Sequence, residues 1–495
     1  MSTSMHQLCQ RLGVQPAGVD VEISRVELDS RRVGPGVLFV ACRGATASSA
    51  DGHDFIDAAI AAGASAVLAE HLVRTPAVAH AVVSDSRRAL AILAEELAGN
   101  PSHSLRLAGI TGTNGKTTVV HMTAAALESA GTPCASLGTL GLEFAGEHTA
   151  WLHTTPEATE LSGALARLRQ RGARAVAMEV SSHALSLKRV EGLHFAVAAF
   201  TNLSQDHLDF HGDMASYFDA KRRLFDELLP ADARAVCCVD DAAGRELAES
   251  LRSRALRVGT GDQPELDLAV REARLTPHGT EVTLRVGGTS LQALLPQVGR
   301  FNLANALVAL GVAHALEQPL AAALDGIARC PQVPGRLEQL AVAGCPRVFV
   351  DYSHTPQALE LALATLQELS GGRVVVVFGC GGERDAGKRP LMGRIAASGA
   401  DAVVITDDNP RREDPQQITA AILEGARSVQ TPRAGHIEIE RDRQRAIARA
   451  IALAAVDDIV LIAGKGHEDY QEVAGQRRHF NDREVALEIL EGRAA

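Results

Sequence analysis

The chain has 495 residues, a length that suggests about three domains. It is 46% hydrophobic and 22% charged, the balance of a globular protein that can bury cores. A formal net charge of −11 argues against bulk binding of nucleic acid or anionic membranes, which requires basic faces. One small basic pocket for a phosphorylated ligand remains compatible with this charge.

The cysteines and the amino terminus indicate the compartment. Eight cysteines are scattered without a C-x-x-C pair, which argues against zinc knuckles and thioredoxin-like motifs. The sequence shows neither a signal peptide nor a window of about 18 apolar residues that could span a membrane. We therefore expect a cytoplasmic protein, without membrane insertion or a nucleic-acid partner, whose cysteines are mostly small buried hydrophobic residues.

Short apolar runs alternate with longer helical patterns, which predicts an α/β fold with mainly parallel sheets. Residues 99–104 are polar and are interpreted as a linker, and two prolines and a glycine in 331–335 break any continuing helix. We therefore predict three domains, over residues 1–102, 103–333 and 334–495. The predicted strands lie at 36–41, 66–68, 105–110, 175–178, 195–200, 235–239, 280–286, 373–378, 402–406 and 457–463.

A glycine-rich loop, residues 109–118, lies between a predicted strand and a predicted helix. Glycines let several backbone N–H groups converge on phosphate oxygens at a helix N-terminus, so the loop predicts ATP or GTP binding. Lys116 would meet the β- and γ-phosphates, and Thr117 would hold Mg²⁺. The spacing is not a strict Walker A motif, because Ile110 stands where the first glycine should fall. A plain glycine-rich turn is the alternative.

Acidic and histidine residues follow two later strands. Glu179 ends the strand at 175–178, where ligands bind in open α/β sheets, so a magnesium role is expected. His207 and His211 have the i,i+4 spacing of zinc ligands, but the residues between them lack the Glu of a metalloprotease helix. A single histidine, His207, supporting Mg²⁺ together with Glu179 fits better beside a nucleotide. Taken alone, Lys221 is predicted to be a solvated lysine on a helix face.

A nucleotide site does not say how its energy is used. A P-loop switch, a partitioning ATPase and a small-molecule kinase all remain possible readings of the loop. Further ordered blocks of sequence decide between them. They are Leu28-Asp-Ser-Arg31, Thr111-Gly-Thr-Asn-Gly-Lys-Thr117, His153-Thr-Thr-Pro156, Met178-Glu-Val-Ser-Ser-His183, Thr201-Asn-Leu-Ser-Gln-Asp-His207, Gly299-Arg-Phe-Asn-Leu-Ala-Asn305, Pro334-Gly-Arg336, Asp351-Tyr-Ser-His-Thr-Pro356 and Gly464-Lys-Gly-His-Glu468.

With these blocks the chain resembles the ATP-dependent Mur ligases, cytoplasmic enzymes of peptidoglycan precursor synthesis, over essentially its whole length. The resemblance implies an N-terminal α/β domain for a UDP-linked substrate, a central P-loop ATPase domain with a mainly parallel sheet, and a C-terminal Rossmann-like domain for an amino acid. It implies that ATP phosphorylates the D-Glu γ-carboxylate of UDP-MurNAc-L-Ala-D-Glu. An amine then attacks the acyl phosphate and releases phosphate. We expect a monomer that acts on small molecules.

The resemblance also implies roles for individual residues around the nucleotide. The phosphates would be bound by the loop residues Gly112, Thr113, Asn114, Gly115, Lys116, Thr117 and Thr118. Thr117 and Glu179 would bind a first Mg²⁺, while His207 and a carbamylated Lys221 would serve a second. Asn302 would face the adenine. Three residues of the third domain would contact nucleotide when the domains close: Arg336, Asp351 and His354.

For the UDP-linked substrate, the resemblance places Leu28 and Ser30 at the uridine end. It assigns the muramoyl-peptide end to Thr154, Thr155, Ser181 and Arg189. The chain departs from the family pattern at Leu187, where relatives have Gln, and at His153, where they have Asn. The loop at 44–51 also looks longer than in those relatives.

Residues 407–411 read Asp-Asp-Asn-Pro-Arg, and Asp-Asn-Pro-Arg marks family members that add meso-diaminopimelate. The alternative interpretation is an ordinary βα turn, since Asp, Asn and Pro are common in turns. A turn does not explain Arg411. Diaminopimelate carries one carboxylate more than lysine, and a guanidinium can hold it with two charge-assisted hydrogen bonds. The resemblance adds Arg384 as a second contact, and Gly464 and Glu468 near the amine end. The amino-acid site would thus contain Arg384, Asp408, Asn409, Pro410, Arg411, Gly464 and Glu468.

Four alternatives stand beside this reading. The same ligation could use L-lysine, or the enzyme could add D-Ala-D-Ala. A folylpolyglutamate synthase shares the P-loop and the acyl-phosphate mechanism, but it would lack the block at Leu28–Arg31. From a different class, a P-loop regulatory ATPase would turn over ATP slowly without any amino acid.

Overall fold

The structure is a computed structural model that describes residues 2–44, 49–276 and 279–494. The first part of the chain forms a small parallel sheet with strand order β3-β4-β5-β6 and helices packed on it. Part of the loop at 44–51 lies outside the described residues. The elements of this part are β1 (Thr3–Ser4), α1 (Met5–Leu12), β2 (Glu22–Ile23), β3 (Arg25–Glu27), β4 (Val37–Val40), α2 (Ile56–Ala61), β5 (Ala66–Ala69), β6 (Ala79–Val82) and α3 (Ser86–Leu97).

The middle of the chain builds one large sheet whose central strands are parallel and whose outer strands are antiparallel. Its strands are β7 (Arg106–Thr111), β8 (Cys134–Gly138), β9 (Gly141–Phe144), β10 (Glu147–Thr149), β11 (Ala175–Glu179), β12 (Phe195–Phe200), β13 (Arg234–Cys238), β14 (Ala255–Gly259), β15 (Leu268–Thr276), β16 (Gly279–Val286) and β17 (Thr289–Leu295). Its helices are α4 (Lys116–Ser129), α5 (Ala158–Gln170), α6 (Ser182–Ser186), α7 (Leu208–His211), α8 (Met214–Arg223), α9 (Ala242–Leu251), α10 (Arg300–Ala315) and α11 (Leu320–Arg329).

The last part of the chain forms a sheet of order β18-β19-β23-β20-β21-β22, parallel except for β18, and a separate hairpin. Its strands are β18 (Glu338–Leu340), β19 (Arg347–Asp351), β20 (Val374–Phe378), β21 (Ala402–Ile405), β22 (His436–Ile439), β23 (Ile459–Ala463), β24 (Tyr470–Val473) and β25 (Gln476–His479). Its helices are α12 (Pro356–Leu369), α13 (Lys388–Gly399), α14 (Pro415–Arg427), α15 (Arg443–Leu453) and α16 (Asp482–Ala494).

These layers confirm the predicted α/β class with mainly parallel sheets. Each of the three larger sheets draws its strands from a single stretch of chain, whereas the exact domain boundaries stay a prediction. The predicted strands are found, with ends that move by one or two residues. The strand predicted from 457, for example, begins at Ile459, because Asp458 turns its carboxylate back to the backbone N–H groups of Arg373 (2.7 Å) and Ala455 (2.9 Å).

The polar stretch at 99–104, interpreted as a linker, is folded against its neighbours. It forms a short 3₁₀ turn, Pro101–His103, in which Pro101 and Ser102 are buried. The Ser102 N–H donates to Glu95 Oε1 of α3 (2.8 Å), and its hydroxyl accepts from the His194 N–H (3.1 Å). These bonds pack the stretch against α3 on one side and against His194 of the central domain on the other, so the predicted linker is an ordered one.

Parallel pairing determines where the functional side chains meet. In the large sheet β7 lies between β11 and β12, with Ile110 opposite Glu179 and Thr111 opposite Phe200. The loops that follow these three strands therefore emerge side by side at one edge. In the last sheet β19 pairs with β23, and Asp351 stands opposite Ala463.

The cores are built largely from the apolar strands and the helices that cover them. All eight cysteines are free thiols, and all are buried, as the sequence predicts. Burial raises the pKa of Cys9 and Cys42 to about 11 and that of Cys134 to about 12. Among the helices of the described ranges, none is long and apolar enough to cross a membrane.

Candidate active site

The glycine-rich loop follows β7 and leads directly into α4, as the sequence predicts. Gly112 has φ +144, and a Cβ there would lie 1.9 Å from Thr201 Oγ1. Gly115 has φ +86, and a Cβ there would lie 2.3 Å from Asn305 Oδ1. Any side chain at either position would collide with a neighbour, so the loop requires glycine for its path.

The segment after β12 supports this loop from the side. Asn202 accepts from the Thr113 N–H through its carbonyl oxygen (2.8 Å) and from the Asn114 N–H through Oδ1 (2.9 Å). The hydroxyl of Thr201 donates to the carbonyl oxygen of Asn114 (2.6 Å). These bonds fix the loop before any ligand arrives, which lowers the cost of binding a phosphate.

A cavity of about 490 Å³ lies between the central sheet and the C-terminal domain. Most of the predicted nucleotide and metal residues line it. They are Thr113, Asn114, Gly115, Lys116, Thr117, Thr118, Glu179, His207, Arg336, Asp351 and His354, together with Thr154 and Ser181 from the predicted substrate set.

Two contacts join the domains across this cavity. Arg336 Nη2 donates to Thr117 Oγ1 (3.0 Å), and the guanidinium lies 4.6 Å from the centre of the Tyr352 ring. On the other wall, His354 Nε2 lies 3.8 Å from Asp206 Oδ2. The third domain therefore brings its cationic and aromatic side chains directly against the phosphate loop.

Asp351 is largely buried in the cavity wall beside these residues. Its carboxylate accepts from the Leu337 N–H (2.6 Å) and from the Ser353 hydroxyl. Burial raises the pKa of Asp351, although these bonds and Arg336 act in the opposite direction.

Glu179 is held in place at the end of β11. Its carboxylate accepts from the Thr139 N–H (2.7 Å) and the Thr139 hydroxyl (3.2 Å), and that hydroxyl lies 3.2 Å from Thr154 Oγ1. Glu179 and Thr117 line the same cavity, and both offer the oxygen atoms that Mg²⁺ prefers. Together with phosphate oxygens and water, these two residues could hold the cation.

His207 precedes α7 with a left-handed backbone, φ +53, and its ring Nε2 lies 3.4 Å from Asp206. Burial lowers the pKa of His207 to about 4, so the ring is neutral at pH 7 and has a free nitrogen lone pair. Burial would raise the pKa of Asp206, but His354, His207 and Lys388 outweigh it and lower that pKa. Within the described ranges, no three His, Cys, Asp or Glu side chains form a metal-binding group.

Lys116 and Lys221 both turn toward the loop. Lys116 Nζ donates to the carbonyl oxygens of Gly112 (3.0 Å) and Thr113 (2.8 Å). Lys221 Nζ donates to the same Gly112 oxygen (2.7 Å) and lies 4.3 Å from the centre of the Tyr217 ring. Burial lowers the pKa of both amines, and the charge of Lys116 lowers that of Lys221 further.

The prediction of a solvated Lys221 is wrong, because the side chain is 1% exposed. The residue lies behind the cavity wall rather than in its lining. The neighbouring Arg222 and Arg223 make this stretch of helix look solvated in sequence, and only the fold turns Lys221 inward.

Asn302 does not line the cavity either. Its amide donates to the Val298 carbonyl (2.9 Å) and accepts from Asn305 Nδ2 (3.0 Å), and the side chain is buried. Asn305, one helical turn later, lines the cavity. The adenine contact proposed for Asn302 stays a prediction, and Asn305 is the residue that sequence reasoning missed within the same block.

The predicted peptide-binding residues gather behind Glu179. Thr155 donates from Oγ1 to the Glu179 carbonyl (2.8 Å), and Ser181 donates its N–H back to Thr155 Oγ1 (3.1 Å). Arg189 donates to the Thr155 carbonyl (2.9 Å) and pairs with Glu157 (2.7 Å). Leu28 and Ser30 follow β3 of the N-terminal sheet. Leu187 is half-buried, whereas His153 is exposed.

The predicted amino-acid residues form a second site at the edge of the C-terminal sheet. Asn409 Nδ2 donates to Glu468 Oε2 (2.8 Å), and Arg411 Nη1 donates to the Gly382 carbonyl (2.7 Å). Gly464 follows β23 and donates its N–H to the Asp351 carbonyl (3.1 Å), so this site adjoins the nucleotide cavity. Asp408 and Pro410 are buried within the same loop.

Arg384 reaches this site from the next loop and is exposed. The Cβ position of Gly381 lies 3.0 Å from Arg411 Nη1 and 3.8 Å from Arg384 Cγ, so the two arginines flank that glycine. Sequence reasoning missed Lys465, which is fully buried and donates to Glu468 Oε2 (3.0 Å). Its position inside the block at 464–468 was the available signal.

Comparison with known proteins gives a consistent result. A model of the Mur ligase family catalytic domain matches residues 22–105, one of the Mur ligase middle domain matches 110–313, and one of the Mur ligase glutamate ligase domain matches 335–466. The chain is 45% identical to a Xanthomonas campestris pv. campestris (strain 8004) protein named UDP-N-acetylmuramoyl-L-alanyl-D-glutamate–2,6-diaminopimelate ligase. That alignment covers 95% of this chain and 94% of the relative.

Similarity to solved structures supports the same family assignment. A structure titled with the same ligase name aligns over 100% of both chains, with TM-score 0.71 and 32% identity. The MurF ligase of Thermotoga maritima in complex with ADP aligns over 95% of this chain and 98% of that one, with TM-score 0.64. At 22% identity the latter likeness concerns the fold. Together with the P-loop cavity, these matches place the chain in the Mur ligase family of ATP-dependent amide ligases.

Proposed function

We propose that this enzyme adds meso-2,6-diaminopimelate to the D-Glu γ-carboxylate of UDP-MurNAc-L-Ala-D-Glu, at the expense of ATP. The observation that carries the proposal is the loop at 407–411 beside the nucleotide cavity, where the Asn409 amide contacts Glu468 and the Arg411 guanidinium donates to the Gly382 carbonyl. A guanidinium at one end and a carboxylate at the other suit an amino acid with a carboxylate far from its attacking amine. The names of the similar ligases support the same substrate.

The first step transfers the γ-phosphoryl group of ATP to the carboxylate, which gives an acyl phosphate and ADP. Lys116 from the loop and Arg336 from the third domain would approach the phosphates from opposite sides and offset their negative charge. In the second step the neutral amine attacks the acyl carbon, the C–O bond to phosphate breaks, and an amide and inorganic phosphate result. The adjoining sites would hold amine and acyl phosphate in reach of each other.

Thr117 and Glu179 would hold Mg²⁺, because their oxygen atoms fit its preference and share the cavity with the phosphate loop. When bound, the cation supplies charge neutralisation on the phosphate oxygens. His207, neutral at pH 7, would add a nitrogen donor to a second cation.

Lys221 would carry a carbamate, formed when its amine adds to CO₂ and loses a proton. Its lowered pKa favours the neutral amine that this addition requires.

A phosphate-release assay tests the proposed function. The enzyme is given ATP, Mg²⁺ and UDP-MurNAc-L-Ala-D-Glu, with meso-diaminopimelate, L-lysine, D-Ala-D-Ala or nothing as the acceptor. We expect phosphate release with diaminopimelate, and a product whose mass equals dipeptide substrate plus diaminopimelate minus water. A preference for lysine would support that alternative, and ATP turnover that ignores all acceptors would support a regulatory ATPase.

A further inference from the structure

The short hairpin of β24 and β25, residues 470–479, is docked against the loop that carries the predicted amino-acid contacts. The backbone of Arg411 forms a parallel bridge to Val473. Its N–H donates to the Glu472 carbonyl (3.1 Å), and its carbonyl accepts from the Ala474 N–H (2.6 Å). The hairpin therefore holds Arg411 on both sides of its Cα.

This support matters because Arg411 has φ +54, a left-handed conformation that arginine rarely adopts. Such a conformation persists where the surroundings over-determine it. The direction of the Arg411 side chain depends on this backbone, so the hairpin determines where the guanidinium points.

Gln471 is the side chain that connects the hairpin to the rest of the loop. It is 2% exposed, and its Nε2 donates to the carbonyl oxygens of Asp408 (2.9 Å) and Asp407 (3.5 Å). The neighbouring Glu472 N–H donates to Asn409 Oδ1 (2.9 Å), which leaves the Asn409 amide nitrogen to face Glu468. One strand thus contacts every polar residue of the loop from Asp407 to Arg411.

The orientation of the Gln471 amide is itself fixed. Arg478, exposed on β25, donates to Gln471 Oε1 through Nη2 (2.6 Å) and Nε (3.2 Å). Because the guanidinium occupies the oxygen, the amide nitrogen must face the loop carbonyls. This is a chain of positioning contacts that runs from the surface of the hairpin to the amino-acid site.

We infer that Gln471 is a positioning residue for amino-acid selection: through the Asp408 carbonyl it aligns the loop that ends in Arg411, and so sets the preference for an amino acid with a distal carboxylate. The inference rests on the proposed function for the identity of that amino acid. Gln471 is proposed to touch neither substrate nor nucleotide. Its loss should therefore raise the KM for the amino acid selectively.

The test compares Gln471→Leu with Gln476→Leu in the full-length enzyme. The control makes the same substitution in the same hairpin, at an exposed position on β25. For Gln471→Leu we expect the KM for meso-diaminopimelate to rise roughly tenfold, since small misplacements of a binding group cost factors of this size or more. The diaminopimelate-to-lysine ratio of kcat/KM should fall by a similar factor. The KM values for ATP and the UDP-linked substrate should stay within about twofold, a split that a general structural defect would not produce.

Arg478→Ala provides a second route if Gln471→Leu does not fold. This variant removes an exposed side chain, and we expect a smaller fall of the selectivity ratio in the same direction. Unchanged selectivity in the folded variants, or an equal rise of all three KM values, would overturn the inference. The wild-type enzyme separates the two proposals. If it prefers lysine, the proposed function fails and the inference fails with it, whereas a wild-type preference for diaminopimelate that Gln471→Leu leaves unchanged overturns the inference alone.

Discussion

The two sites of this enzyme are built in opposite ways. The nucleotide cavity is assembled across a domain boundary: Thr117 and Arg336, which meet at 3.0 Å, are 219 residues apart in sequence. The proposed amino-acid site lies within the C-terminal domain, where Asn409 and Glu468 meet on loops of one sheet. The first site depends on how two domains approach each other. The residues proposed for the second all come from the C-terminal domain.

A buried ion pair supports the proposed amino-acid site from within the C-terminal domain. Arg443 is fully buried and forms a two-bond ion pair with Asp482 (2.7 Å for each bond). It also donates to the Ala463 carbonyl (3.0 Å), directly before Gly464. The difference teaches that chemistry and selectivity can be perturbed separately: variants of the cavity should abolish turnover for every amino acid, whereas variants of the edge should change which amino acid is used.

The largest effect is expected for Lys116→Met. This change removes the charge that would offset the phosphates, so kcat should fall on the order of 10³-fold with any acceptor. Burial disfavours the charged form of the Lys116 amine, which contacts two loop carbonyls. Its loss should therefore not lower the stability of the fold. Phosphate release and thermal melting measure the two quantities. Retained turnover would show that this lysine does not serve the phosphates.

Arg411→Ala changes the proposed amino-acid site and should alter which amino acid is used. Loss of two charge-assisted hydrogen bonds should lower kcat/KM for meso-diaminopimelate by about 10²-fold. The value for lysine should change little, because lysine has no distal carboxylate. The matched control is Arg412→Ala, the exposed neighbour in the same loop. Equal losses for both acceptors would mean that Arg411 supports the fold rather than selection.

Arg336→Lys is a milder change, at the contact between the central and C-terminal domains. The charge remains, but the fork that reaches Thr117 Oγ1 and the flat contact with Tyr352 are lost. We expect kcat/KM for ATP to fall by roughly tenfold. The KM for diaminopimelate should stay constant, since the residues proposed for the amino-acid site all come from the C-terminal domain. A parallel rise of the diaminopimelate KM would break the distinction between the two sites.

The smallest effect concerns His467, whose ring lies 5.1 Å from that of Tyr352, a residue of the cavity lining. Burial, with the charges of Arg336 and Lys465, lowers the pKa of His467 to about 3. The unfolded chain binds a proton here near pH 6.5 that the folded chain refuses, so this group opposes folding as the pH falls below 6.5.

Melting curves of His467→Gln and wild type at pH 7 and pH 5 measure this effect. The Tm of the wild type, relative to the variant, should drop by about 2 °C between the two pH values. His6→Gln, at an exposed histidine of α1, is the control. A Tm difference that does not change with pH would exclude a proton-linked role for His467.

The sequence was most informative where one local rule decides the structure. Buried parallel strands are uninterrupted apolar runs, such as residues 374–378, and a glycine-rich loop between strand and helix predicts both its own shape and its ligand. The positions of Thr117, Glu179 and His207 around one cavity follow from strand order and the rule that functional loops gather at one sheet edge.

Other features depend on contacts that no local rule contains. Helix α10 is buried on nearly all sides, so its pattern cannot tell that Asn305 rather than Asn302 faces the cavity. The inward turn of Lys221 depends on Tyr217 and on a loop 109 residues away. The left-handed Arg411 requires a hairpin that follows about 60 residues later, and such pairings are invisible until the domain is assembled.

The eight buried thiols have a practical consequence for following closure of the cavity. A thiol must be both accessible and ionised to react with a maleimide. Burial denies all eight cysteines the first condition, and it also raises the thiol pKa of Cys134, Cys237 and Cys380 to about 12. The native chain should therefore present an almost silent background to such dyes. One cysteine introduced on the exposed face of the central domain and another on β25 could carry a donor and an acceptor fluorophore without removal of any native cysteine. Energy transfer between them would then report, molecule by molecule, when the two domains meet.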